Sequence, residues 1–190
     1  MTIATLSRAA RNARGVSQTQ LAARTGLPAS NISFIESGRR VPRVDTLDTL
    51  LRSSGARLAI SPTLRSTALE ASTEIRQWLG AGDRPQAFRS WLAFNDDLAA
   101  ETPTNRVVLT AYPPEPTGDA LYDAALASLT EYRLNEVGAP LPLWTATSPT
   151  IDEPRMLTGS HFVTAALLGP IPDEFARRGV LIDAESLRSV

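Results

Sequence analysis

Four glycines, Gly15, Gly26, Gly38 and Gly55, cut the start of this chain into pieces that suit short helices. Glycine adopts the left-handed backbone that ends a helix without steric cost, so each one marks a stop. The starts are marked as well. Leu6, Ala10 and Ala13 form a helical stripe that runs to Gly15. Ser17, with Gln20 three places on, is a capping box that satisfies two orphan backbone donors. It opens a second helix, which carries Leu21 and Ala22 inward and stops at Gly26. Pro28 sits where a first-turn proline belongs, and the helix it opens has Ile32 and Ile35 on one face before Gly38. Pro42 precedes a further helix with Val44, Leu47, Leu50 and Leu51, closed by Gly55. Residues 1–55 therefore read as four or five short helices.

Charge divides the chain at the same place. Residues 1–60 hold nine Arg against three acids, a net of +6, and the rest hold ten Arg against seventeen acids, a net of −7. Every basic residue is Arg. A basic head on an acidic body suits a polyanion-binding module joined to something else. With no Cys and a single His, His161, the chain has no disulfide framework, thiolate site, Cys nucleophile or His-based metal cluster. No apolar run approaches the roughly 18 to 20 residues that cross a bilayer. Met1–Arg14 is Arg-rich, acid-free and amphipathic, as an organelle transit peptide is, but the helices after it need a first helix to pack on. It lacks the apolar core of a secretory signal, so a cytoplasmic protein is expected and the Asn31-Ile32-Ser33 sequon carries no meaning.

After the glycine-cut region, Arg57–Ile60 alternates and reads as a brief strand or extended arm, and residues 61–67 as a linker. Leu69, Ile75, Trp78 and Leu79 mark one helix, and Phe88, Trp91, Leu92 and Leu98 another. Asn105–Asp119, with its four Pro/Gly positions, reads as a loop with a short extended piece at Val107–Tyr112. A helix is expected from about Asp119 to Val137, ended by Gly138, then a Pro- and Thr-rich connection over 139–160. Short helical pieces follow near Phe162–Leu168 and Asp173–Arg178. Val180–Ile182 is an apolar triplet, and Asp183 is a good N-cap for a terminal helix.

The run from Ser17 to Pro42, SQTQLAARTGLPASNISFIESGRRVP, resembles the Cro/C1-type (XRE) helix-turn-helix family. Ser17-Gln18, Leu21-Ala22, Gly26-Leu27, Ile32-Ser33, Ile35-Glu36, Gly38, Arg40 and Pro42 carry the likeness at the family's spacing. The physics is plain without the family. A short Gly-containing turn lets two helices cross steeply, so the second can lie in the major groove of double-stranded DNA. Leu21, Ala22, Leu27, Ile32 and Ile35 would fix that crossing. The other side of the second helix would be left to meet bases and backbone.

The resemblance implies roles position by position. Gln18 matches a phosphate-contacting position. Ala29, Ser30 and Phe34 match base-facing ones, with Asn31 and Ser33 close by. Ser37, Arg39, Arg40 and Arg43 lie where the family touches the sugar-phosphate backbone. Arg11 and Glu36 match a buried salt bridge between the first and third helices. The reading helix departs from expectation in holding no Arg, Lys or Gln, the side chains that pair bidentately with guanine or adenine. Affinity should then come mainly from Arg–phosphate contacts, with DNA shape contributing to specificity. Phe34 can meet a thymine methyl or pack against the protein.

Other signals read as structure. Asp96-Asp97 are adjacent, so on a helix they diverge by about 100° and make a poor acid–base pair. Ser160-His161 lacks a nucleophile elbow, and Leu79-Gly80-Ala81-Gly82 lacks phosphate-loop spacing. Trp78, Phe88, Trp91 and Tyr132 at helical spacing read as core or interface. No catalytic residues, metal ligands or cofactor motif emerge.

The expected fold is mainly α. A five-helix, lambda-repressor-like DNA-binding domain would occupy residues 1–60, and an acidic, mostly helical domain with little strand residues 68–190. The expected function is a sequence-specific repressor that binds a palindromic operator as a homodimer, pairing through the Arg57–Ile60 arm or the C-terminal domain. Glu174–Val180 followed by Ile182–Ala184 is similar to the ending of actinobacterial Cro/C1-type antitoxins paired with nucleotidyltransferase-type toxins. That likeness implies a cognate toxin as partner. The alternatives are a ligand-responsive regulator, which needs an apolar pocket in residues 66–190, and an enzyme with a DNA-binding head.

Overall fold

The computed structural model describes residues 3–58, 60–158 and 169–188, and there the chain is mainly helical, as expected. It divides into two compact units, Met1–Pro62 and Thr63–Val190. No helix among the described residues is long and apolar enough to cross a membrane.

The described part of the first unit holds four helices where the resemblance implies five: α1 (Ile3–Asn12), α2 (Gln18–Thr25), α3 (Ala29–Glu36) and α4 (Val44–Ser53). The capping box of α2 is formed, with Gln20 N–H donating to Ser17 Oγ at 3.1 Å and Ser17 N–H to Gln20 Oε1 at 2.8 Å. Gly26 ends α2 at φ 71°. The Thr25 hydroxyl then donates to the Leu21 carbonyl at 2.8 Å and accepts from Leu27 N–H at 3.3 Å, which stiffens the turn into α3. Val16, Leu21, Ile32, Ile35 and Leu50 form the core, with Ala22 and Leu27 packed against it. Burying each large aliphatic side chain contributes about 1.5–3 kcal/mol.

Two expectations for this unit are corrected and a third is narrowed. Ala13 is exposed, because α1 ends at Asn12 and its buried residues are Ser7, Ala9 and Ala10. Val44, the first residue of α4, lies before that helix's buried face and is exposed. Of the two readings of Arg57–Ile60 the strand is not formed: among the described residues Arg57, Leu58 and Ile60 belong to no strand, and Ile60 is fully exposed, which leaves the extended arm.

The second unit is built around α8 (Ala120–Asn135), which is buried on nearly every side, from Leu121 and Tyr122 through Ala124–Thr130 to Leu134. A helix apolar all round has to be covered all round. Against it pack α5 (Ala68–Gly80), α6 (Arg84–Ala99), α7 (Pro103–Thr110) and the short α9 (Leu143–Ala146) and α10 (Asp173–Ala176). Trp91 is fully buried and meets Phe175 edge-on with ring centroids 6.1 Å apart. Trp78, Phe88 and Tyr132 pack against the same core, so these aromatics are core.

Here too the structure departs from expectation. The first part of the loop expected over Asn105–Asp119, and most of its extended piece at Val107–Tyr112, is instead α7, which Thr102 caps by accepting from Asn105 N–H at 3.3 Å with Pro103 in its first turn. The breakers that suggested a loop, Pro113, Pro114, Pro116 and Gly118, all follow the helix. The connection over 139–160 contains α9 and a two-residue strand, β1 (Arg155–Met156), which pairs in parallel with β2 (Val180–Leu181) in the apolar triplet. Asp183 does cap a helical turn, which is the 3₁₀ turn Ala184–Leu187, its side chain accepting from Glu185 N–H. Asp97 has a structural part: its carboxylate accepts from Ser66 N–H at 2.9 Å and Arg65 Nη1 at 3.2 Å. The helical piece expected at Phe162–Leu168 and the pair Ser160-His161 lie outside the described residues.

Buried ion pairs close this unit. Arg178 forks onto Glu131 with two bonds of 2.7 Å and donates to the Thr145 carbonyl at 2.8 Å, while Arg177 also reaches Glu131. Arg133 donates to Asn95 Oδ1 at 2.7 Å and to the Leu187 carbonyl, which ties the 3₁₀ turn to α6 and α8.

Candidate nucleic-acid interface

Helix α3 is eight residues long and follows Pro28, whose carbonyl accepts from Asn31 N–H at 2.9 Å. One side of it is sealed. Ile32 is fully buried, Ile35 is 3% exposed and Glu36 1%. The other side faces out: Ala29, Ser30 and Ser33 are exposed, Phe34 is 43% exposed and Asn31 is half-buried. Of the two placements open to Phe34, the ring takes the outward one.

A single carboxylate sets the position of this helix. Arg11 of α1 donates from Nε to Glu36 Oε1 at 2.8 Å and from Nη2 to Oε2 at 2.9 Å, while its Nη1 holds the Val16 carbonyl at 2.7 Å. Gln18 of α2 adds a bond from Nε2 to Glu36 Oε2 at 2.9 Å, and Arg8 reaches the Glu36 carbonyl. Glu36 thus joins α1, α2 and α3 through charge-assisted bonds, the bidentate fork fixing direction as well as distance. The bond from Gln18 to Glu36 carries no local sequence signal, because the two residues lie far apart along the chain. It orients the Gln18 amide, which keeps a second N–H for other use.

The end of α3 turns sharply. Ser37 is exposed and its hydroxyl donates to the Phe34 carbonyl at 3.2 Å. Gly38 takes φ +76°, a conformation that strains any side-chain-bearing residue, and lets the chain double back. Arg40 N–H then donates to the Phe34 carbonyl at 3.0 Å, and its guanidinium lies along α3 with Nη1 donating to Asn31 Oδ1 at 3.2 Å. Arg39 and Arg43 are exposed. Arg43 sits 4.0 Å from Asp45 with both side chains mostly in water, a pair that contributes little and leaves the cation available. Val41 and Val44, the neighbours of these arginines in sequence, are 78% and 70% exposed.

The structure therefore brings Ala29, Ser30, Asn31, Ser33 and Phe34 onto one exposed side of α3, with Ser37, Arg39, Arg40 and Arg43 around its C-terminal end. Gln18 is turned toward the protein's own Glu36, and Arg43 lies loosely beside Asp45. No curated protein and no solved structure matches the chain. Residues 8–53 match the family model described as helix-turn-helix, and with α2 and α3 crossing through a glycine turn this stretch is a helix-turn-helix domain, the mark of a DNA-binding transcription regulator.

Proposed function

We propose that the protein is a sequence-specific repressor that lays α3 in the major groove of double-stranded DNA. Ala29, Ser30, Asn31, Ser33 and Phe34 face base edges. Gln18, Ser37, Arg39 and Arg43 meet the sugar-phosphate backbone, with Arg40 at the rim. The observation that carries this reading is the two-sided character of α3, sealed at Ile32 and Ile35 and open along its serines, with exposed arginine at its end. A second copy on a palindromic site raises affinity through effective concentration, so a homodimer is the working form.

Binding of the full chain to a pool of randomised duplexes at low ionic strength tests the reading. Retention that falls steeply with salt and enriches a two-fold-symmetric sequence supports it. No retention at low salt overturns it.

The acidic second unit favours a protein partner, and the likeness of Glu174–Ala184 to antitoxin endings makes that partner a nucleotidyltransferase-type toxin encoded beside it. Co-expression with the neighbouring gene products and capture through the second unit decides this. If none binds, and a small molecule shifts operator affinity instead, the ligand-responsive reading replaces it.

A further inference from the structure

We infer that Arg40 acts as a positioning residue that fixes which way round Asn31 presents its amide, and so which base Asn31 selects; this rests on the DNA-binding reading above. Three observations converge. Arg40 N–H is pinned to the Phe34 carbonyl at 3.0 Å, and Phe34 lies one turn from Asn31 on the same stripe of α3. The guanidinium therefore starts beside that stripe, and its Nη1 reaches Asn31 Oδ1 at 3.2 Å. Asn31 and Arg40 also line one shallow depression between α3 and the start of α4, with Asn31 half-buried in it.

The orientation follows from the chemistry of the pair. A guanidinium has only donors, so the amide atom that faces it is the oxygen, and the NH₂ group points away. Asparagine reads adenine by using both ends of its amide, accepting from N6 and donating to N7. With the oxygen held toward Arg40, the NH₂ group is the end of Asn31 turned to the groove. Donors match the acceptors of guanine, N7 and O6, or the O4 of thymine, and they leave the N6 amine of adenine facing a second donor. The helix without Arg, Lys or Gln can thereby discriminate through a short polar side chain held by an arginine outside the helix.

The test is a competition assay on the full chain with duplexes that vary one base pair at a time across the selected operator. For wild type, one base pair per half-site should prefer guanine or thymine over adenine on the contacted strand, by about tenfold. Arg40→Ala frees the amide to turn, so preference at that base pair should move toward adenine while preferences elsewhere stay unchanged. Asn31→Asp, an acceptor that keeps its bond to Arg40, should move it toward the cytosine amine. Circular dichroism of each variant checks that the exposed substitutions leave the fold intact. The inference is overturned if wild type prefers adenine at every position Asn31 affects. It is equally overturned if Arg40→Ala weakens all duplexes alike and flattens the salt slope by about one, which is the behaviour of a plain phosphate contact. Loss of all duplex binding by wild type would instead remove the DNA-binding reading itself.

Discussion

Glu36 is an acid in the dry interior of a basic unit, and its worth lies in what happens when one partner leaves. Two of the side chains on it, Arg11 and Gln18, come from two other helices. Removing Arg11 strands a carboxylate with a side chain only 2% exposed. Arg11→Ala should therefore cost about 3–5 kcal/mol, a large share of what a unit of this size holds. Thermal melts followed by far-ultraviolet circular dichroism would read this, and the double variant Arg11→Met, Glu36→Leu should recover most of the loss because no buried charge remains. Gly179 is constrained as tightly in the second unit. It sits at φ +70°, and a Cβ there would lie 2.3 Å from the Ile151 carbonyl oxygen, beside the bond from Ile151 N–H to the Arg178 carbonyl. Gly179→Ala should destabilise by roughly 2–5 kcal/mol, from backbone strain plus overpacking, seen as a lower urea midpoint.

Among the elements, the proposed function divides two contributions to binding between α3 and the turn after it. In the proposed complex Arg39 and Arg43 would present cations to the backbone, and Ser30 and Asn31 short polar groups to bases. Arg39→Ala with Arg43→Ala should flatten the dependence of log K on log salt by about two units and leave base preference unchanged. Fluorescence anisotropy across a salt series measures both. The elements of the first unit were legible because each carries its own punctuation: Ser17 with Gln20, Pro28 before Ile32, and glycines at the stops. The inward set of α3 was legible for the same reason, from the spacing of Ile32 and Ile35. Legibility failed where contacts are long-range. Arg155 and Val180 pair although they are far apart along the chain, and two residues of strand leave no local alternation to detect. Helix α7 was hidden by prolines that follow it and by Val107 and Val108, which favour extended chain on propensity alone. The bonds from Arg40 to Asn31 and from Gln18 to Glu36 depend on how helices cross, which no periodicity encodes.

For the molecule as a whole, the two units answer to different probes. Trp78, Trp91 and Trp144 all lie in the second unit, so intrinsic fluorescence follows that unit alone and circular dichroism is needed for the first. Acid should act on the second unit through Glu131. Burial pushes this carboxyl up, but hydrogen bonds from Arg178, Thr145 and Arg177 and the Arg178 charge outweigh it and hold the group down at about 2. Because the folded form binds its proton less readily than the unfolded chain, the stabilisation is complete above about pH 4.5 and is lost progressively as pH falls toward 2. Tryptophan-monitored urea midpoints should fall over that window, and Glu131→Gln should lower the midpoint at neutral pH while flattening the acid decline.

The cations around the end of α3 are all guanidinium groups. Each is a planar fork of donors that suits phosphate oxygens better than the point charge of an ammonium group. Acetylating enzymes and amine-directed esters have no lysine side chain to act on anywhere in this sequence. Silencing the surface chemically calls for a reagent aimed at guanidinium, such as a vicinal dicarbonyl, and footprinting by amine labelling would find this face blank even when DNA covers it.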